Sequence, residues 1–95
     1  MRQSILQDGK YCMVCGTEQN LQKHHIFGGP NRKKSDEDGL WIWLCLDHHT
    51  GDMGIHTAKG SAMMQRYHEI GEREYLRKYG KTIEQFRHRY GKNFL

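Results

Sequence analysis

The chain has 95 residues and a mass of 11.3 kDa, room for one domain and no second core. Apolar residues are 36% and charged residues 27%, with a formal net charge of +4 and a pI near 9.1, so this thin core calls for a structural metal or a partner. No stretch approaches the roughly 18 apolar residues of a membrane span, and the opening MRQSILQDGKYC lacks the apolar run of a signal peptide, so the expectation is a cytoplasmic protein rather than an exported or membrane one.

In chain order, residues 22–27 read as a short strand running into His24 and His25. Residues 28–39 (GGPNRKKSDEDG) read as a polar loop of turn formers. Residues 40–44 (LWIWL) form a continuous apolar run of strand length, and a hairpin is the simplest pairing. Two strands alone are marginal, so something must cover them. The chain then turns through Gly51 and Gly54. Residues 61–79 read as helix, with Met63, Tyr67 and Ile70 at helical spacing and Gly71 weakening the middle enough to allow a division into two helices. Gly80 suits a C-cap, and Thr82 with Gln85 fits a capping box for a last short helix. Ile83, Phe86 and Tyr90 would form the apolar face of that helix.

Three cysteines and seven histidines are the unusual counts, and the odd cysteine number argues against a closed disulfide framework. Cys12 and Cys15 form C-x-x-C, and Cys45 and His48 form C-x-x-H after a gap of 29 residues. Two short pairs placed far apart are how a chain surrounds one tetrahedral ion, each pair gripping from a tight turn. This reading uses every cysteine, whereas a redox pair would want a thioredoxin-like βαβ pattern that is missing here. The expected ion is a structural zinc whose binding energy supplements the core.

Four clustered histidines remain: His24, His25, His49 and His56. Neighbours on a strand point to opposite faces, so His24 and His25 share a site only where the strand ends or bends. His49 and His56 would lie about 10 Å apart along a continuous helix, too far to share an ion, so Gly51 and Gly54 must break it. With that break, a second metal site forms. His68 and His88 fall on charged helical stretches and read as surface residues.

The pieces C-M-V-C (Cys12–Cys15), K-H-H-I (Lys23–Ile26) and L-C-L-D-H-H (Leu44–His49), followed by His56, together resemble the HNH nucleases of the ββα-metal superfamily, in particular small phage and prophage proteins with a zinc knuckle. The likeness spans residues 12–56, with residues 57–95 as a basic helical tail of the same single domain. It implies an α+β fold: a zinc-stabilised ββα-metal hairpin–helix core with additional C-terminal helices. It further implies that His24, His49 and His56 hold a catalytic divalent metal, and that His25 is the general base activating water against a phosphodiester. Imidazole ligands suit Mn, Ni, Co or Zn better than Mg, although the family also uses Mg. The family's orienting asparagine is replaced. Leu40 stands where it often falls, and Asp36, Asp38 or a backbone carbonyl takes its role.

Charge favours a nucleic-acid partner. Residues 1–56 carry six Lys/Arg against seven Asp/Glu, and residues 57–95 carry nine against four. The basic tail, including Arg87 and Arg89, and the loop cluster Arg32, Lys33 and Lys34 are the expected phosphate contacts. The expected function is therefore DNA nicking or cutting, beside a larger phage or host protein. Two rivals share the same features: a non-catalytic zinc-stabilised nucleic-acid-binding or assembly module, and a redox or zinc sensor using Cys12 and Cys15.

Overall fold

A computed structural model describes residues 3–52 and 54–95. The architecture is α+β. Strand β1 (Leu21–His25) leads through a 3-10 turn (Gly29–Asn31) into helix α1 (Arg32–Glu37), then strand β2 (Trp41–Cys45) and the single turn α2 (Leu46–His49). A second 3-10 turn (Ala58–Gly60) opens the long helix α3 (Ser61–Tyr79), and α4 (Ile83–Tyr90) follows. Among the described residues, no helix is long and apolar enough to cross a membrane.

The two strands pair antiparallel in a register that sets Leu21 against Cys45, Lys23 against Trp43 and His25 against Trp41. Side chains alternate across a strand. Gln22, His24, Ile42 and Leu44 therefore share one face, while Lys23, His25, Trp41 and Trp43 share the other. Ile42 and Leu44 are fully buried in a core with Ile26, Phe27, Leu40, Ile55, Tyr75, Phe86 and Tyr90. The cover that two strands require comes from the C-terminal helices. Phe27 anchors them, with its ring 5.3 Å from Phe86, 4.8 Å from Tyr90 and 5.1 Å from Phe94.

Residues 28–39 do not form an open loop. They wind into α1 because tertiary contacts hold them there. Ser35 is buried; its hydroxyl donates to the Leu40 carbonyl (2.5 Å) and accepts from the Phe27 N–H (3.2 Å). From the other side, Arg89 of α4 makes a two-pronged contact with Asp38, at 2.7 and 3.1 Å. The Tyr90 hydroxyl also reaches Asp38, at 2.5 Å, and Asn31 donates to the Tyr90 carbonyl at 2.9 Å.

Helix α3 runs unbroken over the expected span, through Gly71, where the sequence also allows a division. The glycine is there for closeness: a Cβ on it would sit 2.8 Å from Ile26 Cγ2 and 3.3 Å from the Phe27 ring. The Gly80 C-cap (φ 61°) and the Thr82–Gln85 capping box form as the sequence predicts. On α4, Phe86 and Tyr90 are buried but Ile83 is exposed, so the apolar face is narrower than expected. His68 is not a simple surface residue either. It is half-buried and stacks on Phe27 (5.5 Å, 16°), and burial pushes its imidazole down. His88 is exposed.

Gly71→Ala tests this packing, because two effects oppose. Alanine gains about 1 kcal/mol of helix propensity, while overpacking a filled core costs about 1–3 kcal/mol. Ile26 is buried and its branched side chain is stiff at χ1, so a net loss of about 1 kcal/mol is expected in chemical denaturation. An unchanged or raised midpoint would mean that Ile26 yields.

Candidate functional site

The first cluster joins two distant turns. Cys12 N–H bonds the Thr17 carbonyl (2.8 Å) and Gly16 N–H the Cys12 carbonyl (2.8 Å), closing the C-x-x-C loop with Gly16 at φ 79°. Met13 N–H bonds the Trp43 carbonyl (2.9 Å), which docks that loop beside Cys45. Cys45 ends β2 and His48 follows within the single turn of α2. The four ligand atoms of Cys12, Cys15, Cys45 and His48 lie within 4.8 Å of one another and could hold a metal ion such as zinc.

The spacing fits such an ion. Bond lengths of about 2.3 Å to sulfur and about 2.05 Å to nitrogen give tetrahedral edges of about 3.8 Å for S···S, about 3.5 Å for S···N and about 3.3 Å for N···N. Cys15 Sγ and Cys45 Sγ are 3.8 Å apart, and His48 Nδ1 lies 3.2 Å from Cys45 Sγ and 3.8 Å from Cys12 Sγ. Burial pushes the Cys12 thiol up, but hydrogen bonds with the backbone at Cys45, Cys15 and Val14 outweigh it and bring the thiol down to about 6. The thiolate that a metal needs is therefore accessible at this position. Burial pushes the Cys45 thiol up.

The second cluster is His24, His49 and His56, with ring nitrogens within 4.8 Å of one another. The rings stand edge to face or tilted, with centroids 5.0–5.3 Å apart. The glycine break does what the sequence required. Helix α2 stops at His49, Gly51 N–H returns to the Leu46 carbonyl (2.9 Å), and Ile55 N–H returns to the His48 carbonyl (2.8 Å). A Cβ on Gly54 would sit 2.7 Å from the His49 carbonyl, so only glycine permits this close approach. His56 Nε2 thus comes to 3.3 Å from His49 Nε2, the edge a tetrahedral N-ligated ion would span.

Gln22, which sequence reasoning missed, fixes the His49 ring. Its Oε1 accepts from His49 Nδ1 at 2.7 Å, leaving the Nε2 lone pair aimed at His56. The signal was present: Gln22 lies two residues before His24 and so on the same strand face. Burial, then the neighbouring His49, pushes the His24 imidazole down to about 3, which keeps it in the neutral, ligating form.

His25 lies outside this cluster, on the opposite strand face, as the last residue of β1. Its Nε2 is 3.1 Å from Asp36 Oδ1, and Lys23 Nζ reaches the same oxygen at 3.0 Å. Asp36 is therefore the group that orients His25, out of the alternatives the sequence left open. Ser35 fixes it there by pinning α1 to the end of the hairpin. With Nε2–H donated to Asp36, the other ring nitrogen carries the lone pair. His25 opens on a cleft of about 580 Å³ lined also by Lys23, Pro30, Arg32, Lys33 and Asp36.

The remaining basic residues are distributed unevenly. Arg32 and Lys33 line that cleft. Lys34 instead donates to the Arg89 carbonyl at 2.7 Å. Arg89 is held by Asp38 and Glu37, and Arg87 pairs with Glu84 at 3.2 Å, so neither arginine carries an uncompensated charge. No protein-family model, curated protein or solved structure matches this chain.

Lys23, acting against partial burial and helped by His25, holds the Asp36 carboxyl below its ordinary value of 3.8. A lowered carboxylate contributes stability above the unfolded pKa and loses it as pH falls through the folded one. The stability advantage of wild type over Asp36→Asn should thus be about 0.5–1 kcal/mol above about pH 4 and shrink below it. Urea denaturation of both proteins from pH 3 to 7 reads this; a difference independent of pH would contradict the pairing.

Proposed function

We propose that this chain is a metal-dependent endonuclease of the HNH type, with a ββα-metal core, hydrolysing phosphodiester bonds in DNA. The observation that carries the reading is the hairpin's division of labour. One histidine enters a three-imidazole cluster, while its neighbour is held by a carboxylate at the mouth of a basic cleft. Cys12, Cys15, Cys45 and His48 would hold a structural zinc, whose binding is folding energy for a small core. His24, His49 and His56 would hold a divalent ion, which when bound stabilises negative charge on the phosphate and the leaving oxygen.

The chain's own residues supply the rest. Asp36 fixes the His25 tautomer and offsets the positive charge the ring gains. The free nitrogen of His25 takes a proton from water as the water oxygen bonds to phosphorus. The bond from phosphorus to the leaving oxygen breaks, and that oxygen takes a proton from solvent. Arg32 and Lys33 hold the phosphates either side of the scissile one as backbone contacts. The basic tail contributes less than its composition suggested, because Arg87 and Arg89 are already paired.

Metal analysis and plasmid nicking test the reading together. Wild type is expected to bind two ions per chain and His24→Ala one. His25→Ala should keep both and nick about 10²–10⁴-fold more slowly with Mn or Ni. One ion per chain and no nicking would return the protein to a zinc-stabilised binding module. Full-rate nicking by His25→Ala would remove the assigned base.

A further inference from the structure

The outer face of the hairpin carries a second feature beside His25. Residues 3–11 lie along β2 on this side. Ser4 Oγ donates to the Trp41 carbonyl (2.5 Å), and Ile5 N–H donates to the Gly39 carbonyl (2.9 Å). Gln7 accepts from the Trp43 N–H (2.9 Å) and donates to the Tyr11 carbonyl (2.5 Å). Between this segment and the strand is a cavity of about 720 Å³, with Trp41 and Trp43 in its wall.

The two indoles meet at 88° with centroids 5.4 Å apart, forming an aromatic corner. Lys10 Nζ lies 4.8 Å from the centre of the Trp43 ring and Lys23 Nζ 4.1 Å from that of Trp41. Gln3 and Asp8 add hydrogen-bonding groups to the lining. The volume is within the range that takes a small aromatic ligand. Neither ring belongs to the main core cluster, which Ile42 and Leu44 fill from the opposite face; Trp41 is itself buried, with an edge in the cavity wall, and Trp43 stays half-buried.

Its position decides the ligand. Trp41 stands directly across the hairpin from His25, and Lys23 bridges the two places, over the Trp41 ring and on Asp36. Beyond His25 the cleft continues with Arg32 and Lys33. A planar aromatic group attached to a phosphate is what fits a π-lined cavity beside a basic cleft, the two related through the Trp41–His25 pair and Lys23. A base stacked inside a duplex cannot enter such a cavity; an unpaired base can.

We propose that the Trp41–Trp43 cavity is a nucleobase subsite, holding one unpaired base of a single-stranded DNA while the adjoining phosphate lies at His25. This rests on the nuclease reading, and it adds a preference for DNA with unpaired nucleotides at the cleavage point, such as the locally opened stretches of a supercoiled plasmid. Stacking then adds to the affinity that backbone charge supplies. The base contributes little sequence preference, because every base has a π-face.

The zinc-loaded His25→Ala protein can be titrated with a fluorescein-labelled ten-nucleotide oligodeoxythymidylate, with the same oligomer carrying abasic sites, and with a duplex of equal length. Quenching of tryptophan emission is expected with the intact single strand. The abasic oligomer should bind about fivefold or more weakly, and Trp43→Leu on the same background should remove that difference. Trp43→Phe, which retains a π-face, should restore part of it, and serves alone if the leucine variant fails to keep its zinc and circular dichroism. Equal binding of intact and abasic oligomers, or tighter binding of the duplex without quenching, overturns the subsite. Duplex nicking by wild type without quenching sinks the subsite and leaves the nuclease reading intact. Quenching and base-dependent binding by an oligomer that wild type never cleaves supports the subsite and removes the nuclease.

Discussion

The register of β1 on β2 is the constraint from which everything functional follows. Because side chains alternate, one dipeptide, His24-His25, supplies groups to two environments. His24 is sent inward, to a face covered by α3 and bounded by the turn after β2, where burial keeps it neutral. His25 is sent outward, into reach of Asp36 and water. A slip of one residue would set His24 opposite Trp41 or Trp43, so either the histidines would exchange these roles or Ile42 and Leu44 would turn out of the core. The register is therefore protected by the same apolar residues that hold the fold.

Three separate devices keep that hairpin in place, two on the outer edge of β2 and one through α1. The Cys12–Cys15 loop binds β2 through the Trp43 carbonyl and brings its thiols to Cys45 and His48. The segment before it satisfies the Trp43 N–H and the Trp41 carbonyl, which would otherwise be an open strand edge. Helix α4 grips α1 through Arg89, Asp38 and Tyr90, and α1 in turn presents Asp36. The C-terminal helices thus reach the outward histidine by way of α1, which explains why Arg89 is engaged with acids and not left for a ligand.

Much of this was legible in the sequence because it rests on local rules. The apolar run at residues 40–44, the capping box at Thr82 and the glycines between His49 and His56 each have a short-range meaning that survived folding. The ligand pairs were legible from spacing alone. Features decided by distant partners were not. Residues 32–37 have no apolar periodicity, and they become helical only because Ser35 is buried under Leu40 and Asp38 is held by Arg89. Gly71 read as a weak point because its neighbour Ile26 is 45 positions away in the chain. His68 read as surface because Phe27 and Phe94, which pack against it, lie 41 positions before it and 26 after it in the chain.

The account stands on the imidazoles of His24, His49 and His56 gathering round a cation of their own, apart from the thiolates. Nickel-edge X-ray absorption on protein first loaded with one zinc reads this most directly. The prediction is a nickel first shell of nitrogen and oxygen at about 2.1 Å with outer-shell imidazole scattering and no sulfur. Sulfur at the nickel, or no nickel retained once the thiolate site is filled, would contradict it.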